Sequence, residues 1–301
     1  MGASEAGALT EAFERERRGL FAHAYRMLGA YHEAEDVVQD TYVRALRGWE
    51  NFERRSSVRT WLYRIATNVC LNVIEGRGRR VRSFGLAPDD LAEGQFGPWL
   101  EPFPTDPADL VTARESVRLA FVAGLQHLTP RQRAVLLLRG VLVFSAAETG
   151  EVLGMSVPAV KSALQRARAR LDEAAPARDD VLDATSPRAR ELLARYMAAW
   201  ETSDADAFRE VLRVDAAIEP VGSGTSYAGR EACLAFATPS MGPAGAWRMV
   251  ATEANGQPAA VAWFRGEPYG VAVLTVAQDG IVAITLFGDP TLAKTFTPRL
   301  E

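Results

Sequence analysis

Three histidines, two cysteines and a few carboxylates are the residues of this chain that could move protons, attack a substrate or hold a metal. His23, His32 and His127 are far apart, and all lie in the first half of the sequence. Cys70 and Cys233 stand alone with no CxxC spacing, so neither a zinc site nor a disulfide framework is expected. Both read as small buried apolar residues. Toward the C-terminus, Asp215, Glu219, Glu253 and Asp289 are isolated carboxylates with no histidine among them. General acid–base work needs a group of suitable pKa within reach of its partner. No catalytic residue, metal or cofactor is therefore expected, and these carboxylates read as surface or turn residues.

A second kind of chemistry is written in charge and aromatic spacing. Asp36, Asp40 and Arg44 follow at four-residue steps beside Glu35, Gln39 and Arg47, which makes one face of a helix a ladder of acids running into bases. Val38, Tyr42, Ala45 and Trp49 form its apolar side, as Phe21, Tyr25 and Leu28 do just upstream. On spacing alone the ladder is a solvated, internally paired face. Next, Trp49, Phe52, Arg54 and Arg55 precede a helix from about Val58 to Ile74, where Arg59, Thr60, Arg64 and Asn68 interleave with Trp61, Leu62, Ile65 and Val69. Exposed aromatics can stack unpaired bases while arginines track a phosphate backbone. The competing reading places Trp61 and Tyr63 in a core.

Further on, Thr129 and Pro130 start a helix that runs into the apolar stretch Ala134 to Leu138. Ser145 and Glu148 form a capping box. Gly154 supplies a left-handed turn, and Ser156 with Pro158 begins another helix. This is a helix-turn-helix grammar. Its second helix offers Ala159, Lys161, Ser162, Gln165 and Arg166 to a groove and turns Val160, Leu164, Ala167 and Leu171 inward.

The elements that must carry these patterns exceed one core. A chain of 301 residues, 48% hydrophobic and 24% charged, is expected to form two or three globular domains. No segment has the length of apolar residues that a membrane span needs, the start lacks the pattern of a secretory signal, and the chain is expected in the cytoplasm. The net charge of -4 is unevenly spread. Residues 1–80 hold 13 basic and 11 acidic side chains, net +2; residues 111–172 hold 9 and 4, net +5; residues 183–301 hold 10 and 14, net -4. The basic middle is free to meet phosphate. A Gly-, Pro- and Asp-rich stretch from Ser83 to Pro107 reads as a linker, and a second break falls at Ala174–Asp180 before Ser186-Pro187 starts a helix.

The last segment opens with helices at Arg188–Glu201 and Asp204–Leu212. Strands follow at Trp247–Ala254, Ala259–Arg265, Gly270–Ala277 and Ile281–Phe287, with Asn255-Gly256 and Asp279-Gly280 as hairpin signals. Helices followed by antiparallel strands imply an α+β sheet curled over a helix. Trp200, Glu219, Trp263 and Phe287 are its candidate pocket residues, with simple core packing as the alternative.

Together these patterns resemble a known family. His32 to Leu46 resembles the polymerase-binding helix of sigma region two, and Arg59 to Asn68 resembles its promoter-melting, -10 recognition helix. The helix-turn-helix segment resembles sigma region four, which reads the -35 element. The C-terminal order resembles the NTF2-like, SnoaL-type cone, with Tyr227 to Ala232 as its strand-to-helix connection. The linker run Gly97-Pro98-Trp99-Leu100-Glu101-Pro102 is similar to that of sigma factors fused to SnoaL-like domains, the sigma-J and sigma-G-like groups, and Gly288 to Leu292 resembles a degenerate form of their Asn-Pro-Asp-Lys-Leu element. The resemblance implies an extracytoplasmic-function sigma factor with three folded segments: region two at 8–80, region four at 111–174 after a linker at 81–110, and a SnoaL-like regulatory domain at 185–301. It implies core RNA polymerase and promoter DNA as partners. Glu35, Asp36, Gln39, Asp40 and Arg44 would face polymerase. Trp49, Phe52, Arg54, Arg59, Thr60, Trp61, Arg64 and Asn68 would face the -10 element. Ser156, Ala159, Lys161, Ser162, Gln165 and Arg166 would face the -35 element. An unidentified small ligand in the last domain, and control in cis by that domain, complete the expectation. The alternatives are a ligand-responsive helix-turn-helix repressor and a SnoaL-type enzyme with a DNA-binding appendage.

Overall fold

The structure, a computed structural model, describes residues 3–83, 100–103, 118–174, 181–223 and 225–296. The chain divides into two compact units, Met1–Leu91 with Ala120–Pro176 and Ala92–Leu119 with Ala177–Glu301.

The first unit is helical. Helices α1 (Ala3–Leu28), α2 (Tyr31–Gly48) and α3 (Val58–Ser83) pack on one another, and Ser57 caps α3 by accepting from the Thr60 amide. After α4 (Leu119–Gln126), α5 (Pro130–Leu136) begins at a Thr129/Gln132 capping box and widens into a π turn over Leu137–Val141. Helix α6 (Ala146–Leu153) carries the Ser145/Glu148 box and stops at Gly154, whose φ of 64° only glycine adopts without strain. Helix α7 (Val157–Ala174) follows, its amide at Ala159 bonded to Ser156 Oγ. One core serves both helical segments: Leu62, Tyr63 and Ala66 of α3 cluster with Leu138, Phe144 and Val152. Sequence patterning treated these segments as separate modules because periodicity reports which face is apolar, not what covers it.

The second unit is a mixed sheet with helices. Helices α8 (Pro187–Thr202) and α9 (Ala205–Val211) lead into β1 (Leu212–Pro220), β2 (Tyr227–Ala228), α10 (Arg230–Met241), β3 (Trp247–Ala254), β4 (Gln257–Phe264), β5 (Glu267–Ala277), β6 (Gly280–Phe287) and α11 (Pro290–Phe296). The strand order is β2-β1-β6-β5-β4-β3, antiparallel except that β1 runs parallel to β6. Asn255 and Gly256 turn in the left-handed region, as the Asn-Gly signal requires, and Arg265 and Gly266 make a second such turn without that signal. One face of the sheet packs on α8 through Tyr196, Trp200, Trp247, Ala260, Ala272 and Leu274; α11 lies against β5. Asp289 starts α11 by accepting from the Thr291 amide, and Leu292 is buried. The linker residues Leu100 to Phe103 belong to this unit, with Leu100 buried; Trp99 and most of the linker lie outside the described residues.

A buried imidazole gives the first unit a pH dependence. His23 Nε2 lies 2.9 Å from Thr67 Oγ1, and that hydroxyl already donates to the Tyr63 carbonyl at 2.7 Å. Thr67 therefore accepts, and Nε2 carries the proton of a neutral ring. Burial first, and Arg26 second, hold the pKa down to about 3 against 6.5 for a free side chain. Since the folded value is the lower one, the stability is complete above pH 6.5 and is lost as pH falls toward 3. The loss is expected at roughly 1.4 kcal/mol per pH unit. Urea unfolding across that window should show this slope in the wild type and a flattened one in His23→Gln; equal slopes would remove His23 as the cause.

Candidate functional site

Helix α2 buries Ala34, Val37, Val38, Thr41 and Ala45. The opposite side therefore presents Glu35, Asp36, Gln39 and Arg44 to solvent, with Asp40 half-buried among them. Arg44 donates to Asp40 through Nε at 3.0 Å and Nη2 at 2.9 Å, so the ladder pairs with itself at its base-rich end, while Asp36 is exposed. Val43, 41% exposed, adds an apolar contact in the middle of the stripe.

The aromatic-basic group around α3 divides. Arg64 and Asn68 are exposed one turn apart, and Arg54 is exposed in the preceding loop. Trp61 and Thr60 are buried instead. Trp61 forms a stack with Phe52 at 4.8 Å and Trp49 at 5.8 Å between ring centroids; Trp49 and Phe52 are half-buried. Thr60 is spent on the start of α3, where its amide meets Ser57 Oγ. Arg59 is held too: it donates to the Leu142 carbonyl at 3.1 Å, sits 4.4 Å above the Phe144 ring and pairs with Glu16 at 3.6 Å.

Helix α7 buries Val160, Ala163 and Ala167, which leaves Ser156, Lys161, Ser162, Gln165 and Arg166 exposed with Ala159 at their edge. Arg168 and Arg170 extend the basic surface. Arg166 donates to Ser162 Oγ at 2.6 Å, which aims its guanidinium along the exposed face.

Two residues that hold the helical segments together were not singled out from the sequence. Phe144 meets Tyr63 edge-on at 5.3 Å, at the end of a loop where Val143 is 80% exposed and has a φ of 59°. A β-branched residue adopts that conformation at a cost of about 1–3 kcal/mol, so the surrounding contacts must enforce it. Arg133 is buried without a carboxylate partner among the described residues. It donates to the carbonyls of Leu125 at 2.8 Å and Gln126 at 3.2 Å, to Gln126 Oε1 at 2.6 Å, and to Met27 O at the end of α1. Burial first, and Arg77 second, lower its pKa to about 10, still charged at neutral pH. An arginine just before a wholly apolar helical run was the available signal.

In the second unit the four candidate pocket residues do not share a face. Trp200 belongs to the cluster under α8. Ala216 and Ile218 point into that cluster, so Glu219 points away from it. Trp263 alternates with the inward Ala262 and Phe264 and lies under Arg248 at 5.0 Å. Phe287 pairs with Val271, which is likewise outside the cluster. Glu219 is raised in pKa by burial.

The geometry is that of a helix-turn-helix beside a helix with an acidic exposed face, and comparison with known proteins gives the class. Residues 12–80 match Sigma-70 region 2, and residues 118–171 match Sigma-70, region 4. The chain is 45% identical over 303 residues to the ECF RNA polymerase sigma factor SigG of Mycobacterium tuberculosis, covering 94% of this chain and 82% of that protein. It is 29% identical over 207 residues to SigJ of the same species, covering 67% and 62%. The crystal structure of Mycobacterium tuberculosis SigJ matches 95% of this chain and 99% of its own with a TM-score of 0.65 at 22% identity, a likeness of fold. The chain belongs to the extracytoplasmic-function sigma factors of the sigma-70 family.

Two measurements test the geometry. Reversing the ladder with Asp36→Arg and Asp40→Arg removes only a surface ion pair, worth at most about 1 kcal/mol to the fold, yet should weaken core polymerase binding by about a hundredfold or more. Unchanged affinity in a titration would clear α2 of the role. Phe144→Ala should cost the shared core roughly 3 kcal/mol and speed hydrogen exchange along α3; an unaltered exchange pattern would mean that the contact with Tyr63 holds nothing.

Proposed function

We propose that this initiation factor rests in a closed form, offering α2 to polymerase while its two DNA readers are packed together. The observation that carries the reading is Arg59, whose guanidinium is occupied by Leu142 O and the Phe144 ring. The -10 and -35 elements lie about 25 base pairs apart, or about 85 Å of duplex at 3.4 Å per pair. Packed helices lie only about 10 Å apart. The segment carrying α6 and α7 must therefore leave α3 for both elements to be read. In the opened form Arg64, Asn68, Arg54 and the released Arg59 meet the -10 region, with the Trp49, Phe52 and Trp61 stack as the aromatic wedge. Lys161, Gln165 and Arg166, with Ser156, Ala159 and Ser162, meet the -35 major groove.

The second unit acts in cis on this factor rather than as an enzyme. The aromatic residues under α8, Tyr196, Trp200, Phe208 and Trp247, pack on one another, and Glu219 lies on the other face of the sheet. A small ligand of that unit would then act by changing the fold's contacts. The chain works where the polymerase is, in the cytoplasm; no helix among the described residues is long and apolar enough to cross a membrane.

Mixing the full chain with core polymerase should give a stable complex that initiates from a defined promoter. A version ending at Leu182 should bind core as well but differ at least several-fold in initiation. Identical output from both versions would refute control in cis, and absence of any complex would return the helix-turn-helix to the repressor reading.

A further inference from the structure

The two DNA-reading surfaces of the first unit are in opposite states. Helix α6 enters the core under α3 through Val152, with Leu138 and Phe144 beside it. Helix α7 packs on α5 and α6, where its Val160 and Ala163 cluster with Val135 and with Ala146, Leu153 and Met155. The turn between α6 and α7 is fixed from within. The Met155 amide donates to Gly150 O at 2.9 Å, Gly154 takes the left-handed conformation, and a side chain at Gly150 would strike the Met155 carbonyl. The helix-turn-helix is therefore fully formed while the first unit is packed, and Ser156, Lys161, Ser162, Gln165 and Arg166 stand in solvent.

On α3 the condition is reversed. Thr60 and Trp61 are buried, and the Arg59 guanidinium is engaged by Leu142 O and the Phe144 ring. The acidic stripe on α2, like the face of α7, is exposed around Asp36. The packed first unit thus offers the α2 stripe and the α7 face together, and withholds part of α3.

We infer that the chain binds the -35 element as duplex DNA without polymerase and in this packed form, so that it occupies a promoter first and presents α2 from there. The inference rests on the assignment of α7 to -35 reading. Duplex is the fitting ligand because a helix enters the major groove, where each base pair shows its own pattern of donors and acceptors. Gln165 has the amide that pairs with adenine there. Arg166, whose Nη1 is held by Ser162 Oγ at 2.6 Å, has the fork that pairs with guanine. Exposed Lys161, Arg168 and Arg170 supply charge for phosphate. A single strand finds no stacking platform on α7, which carries no aromatic residue. Since the surface is already ordered and open, binding to it costs little conformational entropy.

Two selections with the full chain test this. With core polymerase, transcripts from a randomised template pool identify both promoter elements; without polymerase, the chain is offered a pool of random duplexes. The free chain should enrich the upstream element that the transcripts identify, and should bind it about tenfold or more tightly than a scrambled duplex. The downstream element, as a single strand, should bind the free chain more weakly than the upstream duplex. Gln165→Ala with Arg166→Ala, both on an exposed helix face, should remove that preference and leave the scrambled duplex near its wild-type affinity. Arg168→Ala should weaken every duplex alike and reduce the salt slope by about 1. A free chain that enriches nothing, or that holds the downstream strand as well as the upstream duplex, overturns the inference while transcripts still depend on the -35 element. Transcription indifferent both to that element and to the Gln165 and Arg166 changes overturns the assignment of α7, and the inference with it.

Discussion

A single buried guanidinium sets the terms for the first unit. Helix ends leave carbonyls without partners and collect partial negative charge. Arg133 gathers such carbonyls at the end of α4, from Leu125, Gln126 and Leu128, together with Met27 O at the end of α1. Unlike a buried ion pair, it needs no second charge taken out of water, and its planar fork meets several acceptors at once. It therefore ties the α1–α3 segment to the helix-turn-helix segment through one residue. Separation of the segments removes Met27 O alone from this set; the bonds to Leu125, Gln126 and Leu128 are internal to the second segment. The proposed opening would cost one hydrogen bond at this residue and leave no orphaned charge.

The same economy appears at Arg59 and Phe144. Glu16 lies 3.6 Å from Arg59 on the same segment, so in the proposed opening, with Leu142 and Phe144 withdrawn, Arg59 retains a partner. Phe144 carries the apolar share of the contact, and the left-handed Val143 beside it lowers the net gain from docking. The two segments are thereby joined by a shared buried cluster, Leu62, Tyr63 and Ala66 with Leu138, Phe144 and Val152, and by two guanidinia, Arg59 and Arg133.

How much of this could be read from the sequence depends on the range of the interaction. Caps at Thr129, Ser145, Ser156 and Ser186, the Asn255-Gly256 turn and the exposed stripes on α2 and α7 depend on residues within a turn or two, and each was legible. The parallel pairing of β1 with β6 joins residues some seventy positions apart, and nothing in β1's own pattern names its neighbour. Trp61 and Thr60 were assigned to DNA because their types suit it. The structure puts both inside because Trp49 and Phe52 cover the indole and Ser57 claims the threonine. The four pocket candidates are divided for a simpler reason, since strand alternation sends Glu219, Trp263 and Phe287 to the opposite side from Trp200. Arg133 and Gln257 were missed because a polar residue in an apolar run is informative only once its acceptors are known.

The character of the second unit follows from the same alternation. Proton transfer in a cone of this type would need a titratable group aimed into the space under α8, and the side chains there are Tyr196, Trp200, Phe208 and Trp247, stacked ring against ring. Burial lifts the Tyr196 phenol far above its ordinary range, which makes it a poor acid or base near neutrality. Burial raises the pKa of Glu219, but the sheet stands between it and that phenol. The polar atoms that this unit does bury in order, on Asn255 and Gln257, are turned toward its own chain. Buried amides that hold a linker, and aromatic residues under α8 that pack ring against ring, fit the proposed control in cis better than catalysis.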